Sequence, residues 1–245
     1  TLTAQVLAKA IKNIYPESKL AIGPTIDNGF YYDVLLKKPM STEDFPRVEK
    51  EMRKIINEGH LINKTLKNKK EAIDLFVELD EPYKIEIINE SSQENNFQIY
   101  QQGKTSFYDL CRGPHLPNLK LIGEFKLTKL SGAYWRGDSK NEMLQRIYGT
   151  AWRNKKELDK FLFRLEQAEK RDHRKLGKEM DLFHFQDDTP GSVFWHSKGW
   201  TIFRELVSYM RKKQEDANYI EISTPTILDR SLWERSGHWE KFQEN

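Results

Sequence analysis

Asp109-Leu-Cys-Arg-Gly-Pro-His115 places a carboxylate, a thiol and an imidazole in one short stretch, and Gly113-Pro114 makes a rigid turn between the last two. Cys111 and His115 are of the residue types that bind zinc, yet a stable zinc site takes three or four protein ligands. Two do not make one, so no resident metal is expected. The bland reading of Cys111 is a small buried hydrophobe, which is what an isolated cysteine is in most chains.

The elements that must hold this stretch are legible from periodicity. Leu2, Val6, Leu7, Ala10, Ile11 and Ile14 recur at helical spacing until Pro16, predicting an amphipathic helix over residues 1–15. Thr1 and Gln5 share a face of it, one turn apart. Residues 20–23 and 30–36 read as strands joined through Asp27-Asn-Gly29, a strong turn signal. A helix is expected from about Thr42 to Glu58, with Met52, Ile55 and Ile56 inward and Gly59 as its stop.

Residues 69–79 and 82–89 read as short helices, and Phe97–Gln102 with Thr105–Cys111 as a hairpin around Gly103-Lys104. Strands near Phe125–Leu130 and Met143–Thr150 are expected to flank a Gly132-Ala-Tyr-Trp-Arg-Gly137 loop. The alternation predicts an α+β domain over 1–150. Asn154 can cap a long charged helix carrying Leu158, Phe161, Leu162 and Leu165 to about Leu176, a bridge over 151–180. Beyond Asp181 the chain turns aromatic and loop-rich: Trp200–Asp216 reads as a helix, Tyr219–Pro225 as strand-like, and Trp195 with Trp200 as core packing.

With 38% hydrophobic and 31% charged residues the chain can bury a real core. A net charge of +3 suits a polyanionic partner without requiring one. The single cysteine excludes an internal disulfide framework, and no apolar run approaches the ~20 residues of a membrane span. Nothing reads as a signal peptide, so a cytoplasmic location is expected.

The motifs in order resemble a known family. Ala4–Ile11, Leu20–Asp33, Asp80-Glu-Pro-Tyr-Lys84 and Asp109–His115 are similar to the editing domain of bacterial threonyl-tRNA synthetases. Arg171–Lys178, Val193-Phe-Trp-His196, Gly199–Glu205 and Ser236-Gly-His-Trp239 resemble the opening of that family's class II catalytic domain. The resemblance covers essentially the whole chain. It implies an editing-type domain of mixed strands and helices over 1–150, a linker helix over 151–180, and over 181–245 the first part of an antiparallel-sheet catalytic domain. Tyr219–Pro225 would be its motif 1, which in the family lies at a homodimer interface.

In that family the editing pocket hydrolyses serine wrongly esterified to threonine tRNA. Serine lacks one methyl of threonine, and so small a difference supports only ~1–3 kcal/mol of discrimination in synthesis. The resemblance carries functional positions onto Tyr32, Lys84, Asp109, Cys111 and His115. Lys84 would stabilise developing negative charge or position water, Tyr32 would bond substrate, and Asp109 would hold the ribose end or the amino group. Without the resemblance, Lys84 is a solvated lysine, Tyr32 a strand aromatic and Asp109 a turn acceptor.

Thr1 and Gln5 stand where the family carries two histidines. Neither accepts a proton near pH 7 as imidazole does, so the pocket is expected to be degenerate, with editing weak or lost. The sequence ends at Asn245, before the family's motif 2, motif 3, catalytic zinc ligands and anticodon-binding domain. The parent enzyme would charge threonine tRNA using threonine, ATP and magnesium, with zinc in its catalytic domain. No cofactor is expected in these residues, and no aminoacylation by them alone. Two other readings stay open, an editing domain still active on Ser-tRNA and a non-catalytic tRNA-binding or dimerisation module. Lys170, Arg171, His173, Arg174, Lys175 and Lys178 would then either touch phosphates or form a solvated face.

Overall fold

Every residue from Leu2 to Ile11 is buried in the first helix, α1 (Leu2–Ile14), so its enclosure extends round the helix beyond the apolar stripe to Thr3, Gln5 and Lys9. The structure is a computed structural model describing residues 1–225 and 229–242. The remaining residues of the 181–245 stretch, Asn245 among them, lie outside the described residues. The chain divides into two compact units, Thr1–Glu166 and Gln167 onward.

The first unit mixes helices with two antiparallel sheets. In the larger sheet β1 (Lys19–Leu20), β3 (Gly29–Leu35), β8 (Met143–Trp152) and β7 (Glu124–Tyr134) lie in that order, and β2 (Thr25–Ile26) also pairs with β3. The β2–β3 turn pairs Ile26 with Gly29 and puts Asn28 at φ 60°, the left-handed conformation that asparagine tolerates. Along β3, Phe30, Tyr32 and Val34 point inward to join α1 and α2 (Phe45–Glu58) through Leu7, Ile11, Val48, Met52 and Ile55. Gly59, at φ 66°, stops α2 as expected.

The smaller sheet runs β4 (Ile62–Lys67), β5 (Phe97–Gln102), β6 (Tyr108–Leu110). Against it α3 (Lys69–Glu78) and α4 (Pro82–Glu90) bury Ala72, Phe76 and Ile88 on Phe97 and Ile99. Asn68 and Glu71 close a reciprocal capping box at the start of α3. A third cluster, of Ala21, Tyr83, Trp135 and Leu144, ties α4 to the face of the large sheet opposite α1.

Five points need correction. β4 was not foreseen because it is a polar, mostly exposed edge strand with no apolar alternation to reveal it. The expected Gly132–Gly137 loop is strand as far as Tyr134, since Gly132, Ala133 and Tyr134 pair with Gln145, Leu144 and Met143. The long charged helix is two helices, α5 (Lys155–Lys170) and α6 (His173–Glu179). Between them Asp172 leaves helical geometry and accepts the Arg174 backbone N–H at 2.8 Å, a local side-chain bond that competes with helix continuation. Asn154 does cap α5, its Oδ1 accepting from the Glu157 N–H at 3.0 Å.

The fourth is Tyr219–Pro225, which is not a strand. Its apolar side chains are exposed and no neighbouring strand pairs with it among the described residues, and extended residues need such a partner to form a ladder. In the second unit β9 (Phe183–His184) and β10 (Phe194–Trp195) make a hairpin, followed by α7 (Ser197–Asp216), α8 (Arg230–Arg235) and α9 (His238–Phe242). Trp195 and Trp200 are not core: they are 40% and 46% exposed, and both lean on Phe203. No described helix is long and apolar enough to cross a membrane.

Candidate functional site

Tyr32 on β3, Lys84 on the first turn of α4 and Asp109 on β6 come from three separate elements, and the fold closes them into one network. Lys84 Nζ donates to Tyr32 Oη at 2.9 Å and is ion-paired with Asp109, while Tyr32 Oη donates to Asp109 Oδ1 at 3.0 Å. Lys84, 2% exposed, is not a solvated lysine; Tyr32 is a strand aromatic but fully buried, and Asp109, 3% exposed, lies on a strand and not in a turn. Burial, then the charge of Asp109, raises the Tyr32 pKa well above the phenol range, so the hydroxyl stays protonated and acts as the donor. Gly23 makes this possible, because a Cβ there would lie 2.1 Å from the Tyr32 ring.

Cys111 follows β6 directly, with its N–H on the Gln98 carbonyl at 3.2 Å and its sulfur accepting the Gly113 N–H at 3.5 Å. The Gly113–Pro114 bond is cis, and Gly113 sits at φ 65° with no room for a Cβ beside Tyr100 Oη. His115 packs edge-on against the Tyr100 ring at 4.2 Å, and neither of its ring nitrogens has a hydrogen-bond partner. Burial lowers its pKa to about 4.

The start of α1 carries the two positions at which the resemblance expects histidines. Thr1 is the N-cap of α1, and its carbonyl accepts the Gln5 N–H at 3.2 Å. Gln5, one turn on, is 2% exposed and its amide nitrogen lacks a hydrogen-bond partner. The structure therefore brings Tyr32, Lys84 and Asp109 into direct contact, with Cys111 and His115 following Asp109 along the same segment. Cys111 and His115 are not hydrogen-bonded to each other. Among the described residues, no three His, Cys, Asp or Glu side chains are grouped as metal ligands.

A cleft of about 690 Å³ opens onto this network, with Lys84, Cys111, Gln98, Arg112, Ile87 and Arg136 in its walls. It offers an ammonium, a thiol and two guanidinium groups to an incoming ligand. Glu81, which sequence reasoning passed over, sits 4% exposed behind Lys84 and accepts from the Leu20 N–H at 2.7 Å and Lys12 Nζ at 2.5 Å. Burial raises its pKa, against the pull of Lys12. Its place just before Pro82 in the Asp80–Lys84 motif was the available signal. Also unforeseen is a chain in the second unit, Asp181 Oδ1 to His196 Nδ1 at 2.7 Å and His196 Nε2 to His184 Nδ1 at 2.7 Å.

The neutral His115 has a measurable consequence. Its folded pKa lies below its unfolded value, so the unfolded chain binds the extra proton between them and stability falls as pH drops from about 6.5 toward about 4. Urea midpoints followed across that window should fall less steeply for His115→Gln than for the parent. Equal slopes would show that His115 is solvated and titrates normally.

Comparison with known proteins adds identity to this geometry. Residues 98–148 match the family model described as the threonyl and alanyl tRNA synthetase second additional domain. The chain is 51% identical over 243 residues to a threonine-tRNA ligase of Paraburkholderia phytofirmans, and 54% identical over 244 residues to one of Pelagibacter ubique. Each alignment takes in 99% of this chain and 38% of the relative, so the chain spans well under half the length of these relatives. The resemblance carried by the motifs holds from end to end: over 99% of its length the chain is similar to a part of bacterial threonine-tRNA ligases.

Proposed function

We propose, from this end-to-end homology to threonine-tRNA ligases, that the chain is a portion of such an enzyme. Residues 1–150 would be its editing-type domain, 151–180 the linker and 181–245 the opening of the class II catalytic domain. The whole protein would join threonine to its tRNA with ATP in the cytoplasm and dimerise through the region around Tyr219–Pro225. The 245 residues by themselves would bind the acceptor end of the tRNA without activating threonine.

Within the editing domain we read the pocket as retained in shape and weakened in chemistry. Ester hydrolysis by water needs a group to take a proton, and that group works best when its pKa lies near the working pH. The observation that carries the reading is His115, held near pKa 4 by burial, with no hydrogen-bond partner. Such an imidazole is a poor base at neutral pH. On the α1 side Thr1 and Gln5 supply no proton acceptor in its place. Lys84, held by Tyr32 and Asp109, is a fixed cation at the cleft and would stabilise developing negative charge.

The test is direct. Ser-tRNA incubated with the chain at neutral pH is expected to lose serine no faster than in buffer. Brisk release of serine, with Thr-tRNA spared, would overturn the reading in favour of a working deacylase.

A further inference from the structure

A second cavity, of about 370 Å³, lies in the first unit apart from the cleft, and none of the residues that wall the cleft belong to its wall. That is at the small end of the ~300–1,000 Å³ typical of ligand sites. Its charged wall is built by three helices: α1 brings Lys9 and Lys12, the last residue of α2 is Glu58, and Glu81 stands at the start of α4. Leu20, Leu79 and Phe107 give it an apolar side.

Two of these four charges are matched to each other. Lys12 Nζ donates to Glu81 Oε1 at 2.5 Å and to the Ser18 carbonyl at 2.7 Å, and the other Glu81 oxygen accepts the Leu20 N–H at 2.7 Å. Lys9 and Glu58 are left with each other at 3.7 Å, which is longer than a hydrogen bond. Among the described residues Lys9 Nζ has no hydrogen-bond partner, although it carries three donors and the residue is only 6% exposed.

Packing does not explain a lysine at this position. The helix is buried on all sides from Leu2 to Ile11, so an apolar residue would serve the core better than a charged donor with nothing to bond. Burial lowers the Lys9 pKa and the charge of Glu58 opposes that shift, which is the signature of an ammonium short of acceptors.

A ligand in this cavity meets a cation with open donors and a carboxylate 3.7 Å from it. A simple anion drawn to Lys9 would be repelled by Glu58 at nearly the same range, and a simple cation drawn to Glu58 would be repelled by Lys9. A small zwitterion, with carboxylate and ammonium on one carbon, suits both. The flexible lysine stem can carry its ammonium to such a ligand. We propose that this cavity binds a free α-amino acid, whose carboxylate accepts from Lys9, whose ammonium donates to Glu58 and whose side chain lies against Leu20, Leu79 and Phe107.

The test is isothermal titration calorimetry of the 245-residue chain at neutral pH with glycine, serine and leucine, and with propionate and propylamine as probes carrying one charge each. At least one amino acid is expected to bind, and both single-charge probes about tenfold more weakly. Lys9→Met keeps the stem and Glu58→Gln keeps the shape, and each is expected to weaken the amino acid about tenfold while urea midpoints show that the variant is folded. The Glu58 side chain is 36% exposed and tolerates the change, so that variant decides the matter if Lys9→Met does not fold. Propionate binding as tightly as the amino acid, with Glu58→Gln having no effect, would make this an anion site and overturn the proposal. Binding by none of the five probes, or amino-acid binding that Glu58→Gln leaves unchanged, would overturn it too.

Discussion

Replacing Lys84 by alanine is expected to destabilise the first unit by ~3–5 kcal/mol, the range for removing one partner of a buried ion pair. Lys84 and Asp109 are 2% and 3% exposed, and the ammonium also donates to Tyr32 at 2.9 Å. Without it, the Asp109 carboxylate, 3% exposed, is left with the Tyr32 hydroxyl and no cation. Replacing the charges together, Lys84→Met with Asp109→Leu, should restore most of the loss, because two desolvated charges then disappear with their attraction. Hydrogen exchange of α1 and β3 amides, read against urea, isolates this unit from the second. A loss below ~1 kcal/mol for Lys84→Ala would be the behaviour of a solvated pair and would refute the buried network.

Installing Thr1→His and Gln5→His together is expected to raise hydrolysis of Ser-tRNA by ~10²–10⁴-fold, the usual contribution of a positioned acid or base. Thr-tRNA should be spared. Gln5 lies one turn from Thr1 on α1, 2% exposed and with an unsatisfied amide nitrogen. An imidazole at that position replaces a group that cannot accept a proton at neutral pH with one that can. Each single change should do less, since the two rings would act on one water. The variants are best made with several residues added ahead of Thr1, so that the helix start is not frayed. A double variant that folds as the parent does and gains no hydrolysis would mean that the missing chemistry lies elsewhere in the pocket.

Much of the first unit was readable because its signals are local. The Asp27-Asn-Gly29 turn, the Gly59 stop, and Asn154 at the start of α5 each act over a few residues. The misses share the opposite property. β4 is recognised only by its pairing with β5, and the end of β7 only by its pairing with β8. The break between α5 and α6 came from a single side chain, Asp172, competing for the backbone. Tyr219–Pro225 carries strand-like residues and no partner to make them a strand among those described.

The candidate site divides in the same way. Cys111 and His115 stand out in sequence because a rigid turn sets them close together, and Thr1 and Gln5 share a face because helical spacing dictates it. Residue types alone also determine that neither Thr1 nor Gln5 can serve as a base. Glu81 was not legible, since its partner Leu20 lies 61 residues away along the chain. Only the tertiary structure decided that Lys84 is a buried cation held by Tyr32 and Asp109, and that His115 is neutral with a pKa near 4. A side chain's identity sets which protons it can carry, whereas its charge state depends on lost water and on the distances to other charges, and those exist only once remote segments have packed together.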